Sequence, residues 1–208
     1  MDTHEEIKQL KLRFRGLMNG VVSSSMRDKG VNYRVNFGVE LLRLKEIAAE
    51  MTPNHELAQA LWKEDVRECR ILAGLLQPAD SFLPEIADIW VERIRYAEEA
   101  ECTVMNLFCR LPYASEKAFQ WIADDREWFQ VCGYLILARL FMEGKRCNAR
   151  AEDEFLDQAS TALHSSQPSV SKAAQKALIK FMELGQEEEK RVQQLLACHT
   201  NNPDPTTE

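Results

Sequence analysis

Apolar residues recur at spacings of three and four along nearly the whole chain, as in Val39, Leu42, Leu44 and Ile47 and again in Leu57, Leu61 and Val66. That period belongs to helices with one buried face, and nowhere does the chain sustain the alternation of a strand. Breaks come at short intervals, at Gly30, Pro53, Pro78, Pro84, Pro112, Gly144, Pro168 and Gly185. Between them the pattern predicts about eleven helices of ordinary globular length. They run from about Glu5 to Leu17, Val39 to Met51, Asn54 to Lys63, Val66 to Leu76, Pro84 to Ile94, and Ala97 to Cys109. Five more follow, from Ser115 to Ala123, Arg126 to Glu143, Ala151 to His164, Ser169 to Leu184, and Gln186 to Ala197. Asn54 and Ser169 are placed as N-caps, and Pro84 suits a first helical turn.

Short helices with short links cannot bury their apolar faces alone, so antiparallel pairs stacked side by side are expected. The fold class predicted is all-α, an α-solenoid, with a compact helical bundle as the competing architecture. Residues 1–198 are taken as one domain. Two segments fall outside the pattern: Val21 to Gly30, small, polar and partly basic, reads as a mobile loop, and the tail 199–208 as disordered.

Composition narrows the function. Of 208 residues 45% are hydrophobic and 28% charged, as in a folded water-soluble domain. The acidic, polar start and the lack of a long apolar run point to a cytoplasmic protein with no membrane partner. Six cysteines without a CxxC pair and four histidines without HxxxH leave no metal site, and no cofactor motif is present. Cys102 and Cys109, seven apart, read as core thiols. The net charge of −7 argues against indiscriminate nucleic-acid binding. Taken in blocks of fifty, acidity concentrates in residues 51–100 and after 150, which leaves room for one basic face.

The stretch NHELAQALWKEDVRECRILAGLL, Asn54 to Leu76, resembles the AlkD-like DNA alkylation repair family, HEAT-like repeat alkylpurine DNA glycosylases with LA and LW on one helix and E-x-R-x-LA on the next. PEIADIWVERI at Pro84, NLF at Asn106, KAFQW at Lys117, CGYLILARLF at Cys132 and VSKAAQKAL at Val170 follow in the family's order. FGVELLRLKEIA from Phe37 is similar to the segment before its first full repeat, with Leu42 where a proline is common. The resemblance covers roughly residues 37–185. It implies an ARM/HEAT-like superhelix whose basic concave groove grips double-stranded DNA and excises cationic alkylated purines. For that chemistry a carboxylate stabilises oxocarbenium charge, aromatic faces hold the lesion and an Arg anchors the backbone.

By the same resemblance the family's catalytic Asp falls at Glu101. Its first Trp falls at Ala97, with Tyr96 adjacent but about 100° away around a helix. The pocket's Arg falls at Val131 and its second Trp at Lys176. Three of the four roles are therefore absent. The leading expectation is a DNA-binding repair protein that recognises damaged or branched DNA without standard glycosylase activity. The alternatives are a divergent alkylpurine DNA glycosylase using Glu101 with Tyr96 as its aromatic, and a scaffold for a protein partner. Oligomeric state is left open.

Several residues have both a functional and a structural reading. Glu98, Glu99 and Glu101 are a candidate catalytic or ion site, or a solvated face. Lys172, Lys176 and Lys180 form a stripe suited to phosphates, or to a salt-bridge lattice with Glu187 to Glu189. Arg67 and Arg70, beside Glu68, are candidates for DNA contact or for pairing with a neighbouring helix. Arg139, Lys145, Arg146 and Arg150 gather near a helix end, where positive charge is favoured anyway. Trp62, Trp90, Trp121 and Trp128 occupy apolar helical positions, which favours core packing over base stacking. Ser23 to Ser25 lack the context of a nucleophile.

Overall fold

The computed structural model describes residues 2–200, the side chains of 198–200 excepted. Among these residues the secondary structure is helical, apart from one isolated parallel bridge between Val35 and Val66. The chain falls into two compact units, one ending at Pro112 and the other beginning at Tyr113.

The first unit holds α1 (Thr3–Gly16), α2 (Gly20–Asp28), α3 (Leu41–Ala49), α4 (His55–Lys63), α5 (Arg67–Leu76), α6 (Pro84–Glu92) and α7 (Ala97–Asn106). The α5 helix is buried nearly all round and packs against α3, α4 and α7, while α1 lies on α4. Asn54 caps α4 as expected, its side chain accepting from the Leu57 N–H at 3.0 Å, and Pro84 opens α6. At the centre Trp62 stacks on Trp90 with ring centroids 4.2 Å apart. The Trp90 indole donates to Gln59, whereas the Trp62 Nε1 is buried without an acceptor.

The loop expected over Val21–Gly30 is a helix over Gly20–Asp28. Asn19 caps it, accepting from the Val22 N–H at 3.2 Å. The inward position is taken by a serine, Ser23, whose hydroxyl donates to the Asn36 carbonyl at 2.8 Å. A polar residue in the buried place erases the apolar period that would have revealed the helix. Room for this contact comes from Gly38, at φ +70°. A Cβ there would lie 2.3 Å from the Asn19 carbonyl oxygen and 2.9 Å from the Ser23 nitrogen.

The second unit holds α8 (Ala114–Ile122), α9 (Glu127–Met142), α10 (Ala149–Leu163), α11 (Pro168–Met182) and α12 (Gln186–Thr200). Its axis is α9, apolar on every side, which packs against α8 and α11; α10 and α12 pack on α11. Gly133 lets α9 approach α8, since a Cβ there would meet Ala118 and Ile122 within 3 Å. Phe141, Phe155 and Phe181 join α9, α10 and α11 with ring centroids 5.2–5.4 Å apart. Ser169 does not cap α11. Gln167 holds that position with Pro168 at the first turn, and the Ser169 hydroxyl donates to Glu127 instead. Helix α12 continues to Thr200, so His199 and Thr200 are helical where a disordered tail was expected; 201–208 lie outside the described residues.

Of the positive-φ glycines, Gly38 and Gly144 should respond differently to alanine. Gly144 has open space around it, so Gly144→Ala carries only the left-handed backbone strain of about 1–2 kcal/mol. Gly38→Ala adds a backbone clash and should lower the thermal midpoint distinctly more. Equal losses in calorimetry would mean that the α2 contact at Gly38 is not rigid.

Candidate nucleic-acid interface and the carboxylates of α7

Helix α5 opens with Arg67, Glu68, Cys69 and Arg70, all buried. The enclosed Glu68 carboxylate accepts from the backbone N–H groups of Phe37 and Val39, each at 3.2 Å, and from Arg67 at 3.1 Å. Arg67 also donates to the Val39 carbonyl at 2.9 Å and holds both oxygens of Glu98, at 2.7 and 2.6 Å. Arg70 donates to the Arg93 carbonyl at 2.9 Å and to Glu99 at 2.6 Å, and its guanidinium lies 4.9 Å from the Trp62 ring centre. The other Glu99 oxygen accepts from the Arg95 N–H at 3.1 Å. Burial is the largest influence on Glu99 and pushes its carboxyl above the usual range, against the pull of Arg70.

Arg67 and Arg70 are 1% and 7% exposed, so neither guanidinium faces a phosphate in solution. As DNA contacts they are corrected: the E-x-R stretch is internal structure. The acidic cluster of α7 divides likewise, with Glu98 and Glu99 turned to these arginines and Glu101 exposed.

Tyr96 stands ahead of α7 in extended backbone, φ −136° and ψ 145°, rather than on a helical turn. Its hydroxyl accepts from the Asn32 N–H at 3.0 Å and its ring lies 4.7 Å from that of Tyr33. The Arg95 guanidinium covers both rings, at 5.3 and 5.4 Å, and pairs with Asp65. Tyr96 thus belongs to an aromatic cluster that holds residues 32–33. The residue one turn before Glu101 on the helix is Ala97, exposed and without an aromatic face.

In the second unit Val131 is buried in α9. Lys172 and Lys176 are exposed on α11 and Lys180 is half-buried, opposite the inward Ala173, Ala177 and Phe181. Lys180 lies 2.7 and 2.9 Å from the two oxygens of Glu183. Glu188 is taken by Arg146, and Arg139 and Lys145 share Glu143. The cations near the end of α9 are therefore largely matched inside the unit. Trp62, Trp90 and Trp121 are core residues, Trp128 is half-buried, and the thiols of Cys69 and Cys102 are pushed up to about 12 by burial. Among the described residues no group of three or more His, Cys, Asp or Glu side chains is placed to hold a metal ion.

The sequence model of the family described as "DNA alkylation repair enzyme" matches residues 11–207. The chain belongs to that family. Among solved structures it is similar to one described as "A new family of proteins related to the HEAT-like repeat DNA glycosylases with affinity for branched DNA structures". The identity is 17%, the TM-score 0.81, and the match covers 91% of this chain and 81% of that one. At such identity the likeness establishes the fold, a HEAT-like helical repeat. No curated protein matches the chain. In this member of the DNA alkylation repair family, positive charge is concentrated near the start of the chain. Nine lysines and arginines lie between residues 8 and 45 against only Asp28 and Glu40. Acidic residues on either side of that span offset it within the first fifty residues.

If the E-x-R network is structural, breaking it should unfold the protein rather than select against a ligand. Glu99→Gln leaves the Arg70 charge buried without its carboxylate and should cost about 3–5 kcal/mol in denaturant unfolding. Adding Arg70→Met should recover much of that loss. A double variant no more stable than the single one would show that the unpaired guanidinium is not the cause.

Proposed function

We propose that this protein is a DNA-binding member of the DNA alkylation repair family that recognises damaged or branched double-stranded DNA in the cytoplasm without excising alkylated bases. The observation that carries the second half is the engagement of Tyr96. Its hydroxyl and ring are committed to Asn32 and Tyr33, so it does not make up for the missing aromatic at Ala97. Glu101 then stands exposed on a helix without a cradle to exclude water or hold a flipped nucleotide. An exposed carboxylate in high dielectric does little for a developing oxocarbenium ion. Supporting the first half are membership of the family, a fold shared with a protein described as having affinity for branched DNA, and the exposed Lys172 and Lys176 of α11. None of the helices among the described residues is long and apolar enough to cross a membrane.

Duplex and branched DNA should bind with an affinity that falls as salt rises. Replacing Lys172, Lys176 and Lys180 together by Gln should lower the slope of log affinity against log salt by up to about 3. Base release from methylated DNA should stay at the uncatalysed level for the parent and for Glu101→Gln alike. Release that Glu101→Gln abolishes would restore the glycosylase reading.

A further inference from the structure

The densest positive charge lies in α1, α2 and the start of α3, where nine basic residues between 8 and 45 face two acidic ones in a chain of net charge −7. Ion pairs take up four of them: Lys8 with Glu5, Lys11 with Glu64, Arg13 with Glu50 and Arg43 with Glu46. The other five, Arg15, Arg27, Lys29, Arg34 and Lys45, are exposed and have no carboxylate partner among the described residues. A cation already paired inside the protein gains little from a phosphate, whereas an unpaired one releases a counterion when it meets one.

The same segment is unusually apolar at its surface. Six of the twelve large apolar side chains exposed among the described residues fall between Leu12 and Leu42. Two of them, Leu17 at 39% and Met18 at 59% exposure, form the turn between α1 and α2, and Val21 follows at 81%. Leu17 and Met18 line one cleft with Gly20, Gly38, Glu40 and Arg43. The turn is fixed in place. The Leu17 and Asn19 N–H groups donate to the Phe14 and Phe37 carbonyls at 3.1 and 2.9 Å, and the close contact at Gly38 holds it from behind. An apolar turn held this firmly, on the segment of the chain that carries these unpaired cations, matches a partner that is anionic yet offers apolar faces.

We propose that this turn and the unpaired cations of the same segment form a DNA-reading surface of the first unit. Arg15, Arg27, Lys29 and Arg34 contact phosphates, while Leu17 and Met18 bear on bases uncovered at a branch point. The proposal rests on the DNA-binding reading above and names the structural feature recognised. In an intact duplex the base faces are stacked, and an apolar wedge must first open a step at a cost of a few kcal/mol. At a branch the stack is already interrupted, so the contact forms without that cost. Cations that touch only phosphates are indifferent to branching. The two parts of the surface therefore have separable effects: charge sets affinity and its salt dependence, and the apolar tip sets preference for the branch.

The test is anisotropy of labelled duplex and four-way-branched DNA across a salt series, using the full chain. Combining Arg15→Gln, Arg27→Gln, Lys29→Gln and Arg34→Gln should lower the salt slope by up to about 4 on both DNAs. Leu17→Ala with Met18→Ala should keep the slope and cut the branch-over-duplex preference roughly tenfold, as expected for the lost burial of one such side chain. All six positions are exposed, and unchanged thermal midpoints would confirm that the variants fold. A parent that binds neither DNA overturns the DNA-binding reading and this surface with it. A parent that binds, with a four-cation variant of undiminished slope, overturns this surface alone and leaves binding to other residues such as the α11 stripe. A parent without branch preference, or a Leu17/Met18 variant that retains it, overturns the role of the apolar tip.

Discussion

Much of the first unit depends on two buried arginines that must find carboxylates. Taking a guanidinium out of water costs several kcal/mol, and only well-placed partners offset it. Arg67 and Arg70 find theirs on α7, at Glu98 and Glu99, and bring Glu68 into the same enclosure to hold the backbone of Phe37 and Val39. The helix α5, the segment before α3 and the start of α7 are thereby fixed to one another by directional bonds rather than by apolar contact alone. That explains how α5, which carries three charged residues in its first four, comes to be buried nearly all round. It also positions Gly38, and through Gly38 the capped start of α2.

The same requirement accounts for what was legible in the sequence. Helices whose buried positions are apolar, such as α4, α6 and α9, announce themselves by period, and the collinear motifs point to the family that the full-length match establishes. Elements whose buried positions are polar do not. Serine in the inward place of α2 reads as loop, and glutamates at the start of α7 read as a solvated or catalytic cluster. A pattern of hydrophobicity cannot separate a buried ion pair from two surface charges. Only the residue at the far end of each bond, Glu98 or Glu99 thirty positions away, makes the difference.

Tyr96 shows a related limit. Continued on an ideal helix it would sit about 100° from Ala97 and about 140° from Glu101. In the structure it precedes the helix in extended backbone, and its side chain is spent on Asn32 and Tyr33. Where the helix begins decides whether Tyr96 shares the helix of Glu101 at all or belongs to another cluster, and helix ends are where sequence patterns are least sharp.

Net charge misleads for a comparable reason. A total of −7 suggests a protein that phosphate repels, but the potential at a surface depends on which charges lie within a screening length of it and which are already paired. In the second unit the cations Arg139, Lys145, Arg146 and Arg191 all lie on carboxylates of their own unit. Between residues 15 and 34 four exposed cations do not, with Asp28 lying between two of them in sequence. Acidic residues elsewhere then serve a nucleic-acid-binding protein rather than oppose it. On the proposed reading they offset charge that would hold any duplex indiscriminately, while Arg15, Arg27, Lys29 and Arg34, on the same segment as Leu17 and Met18, keep no carboxylate partner among the described residues.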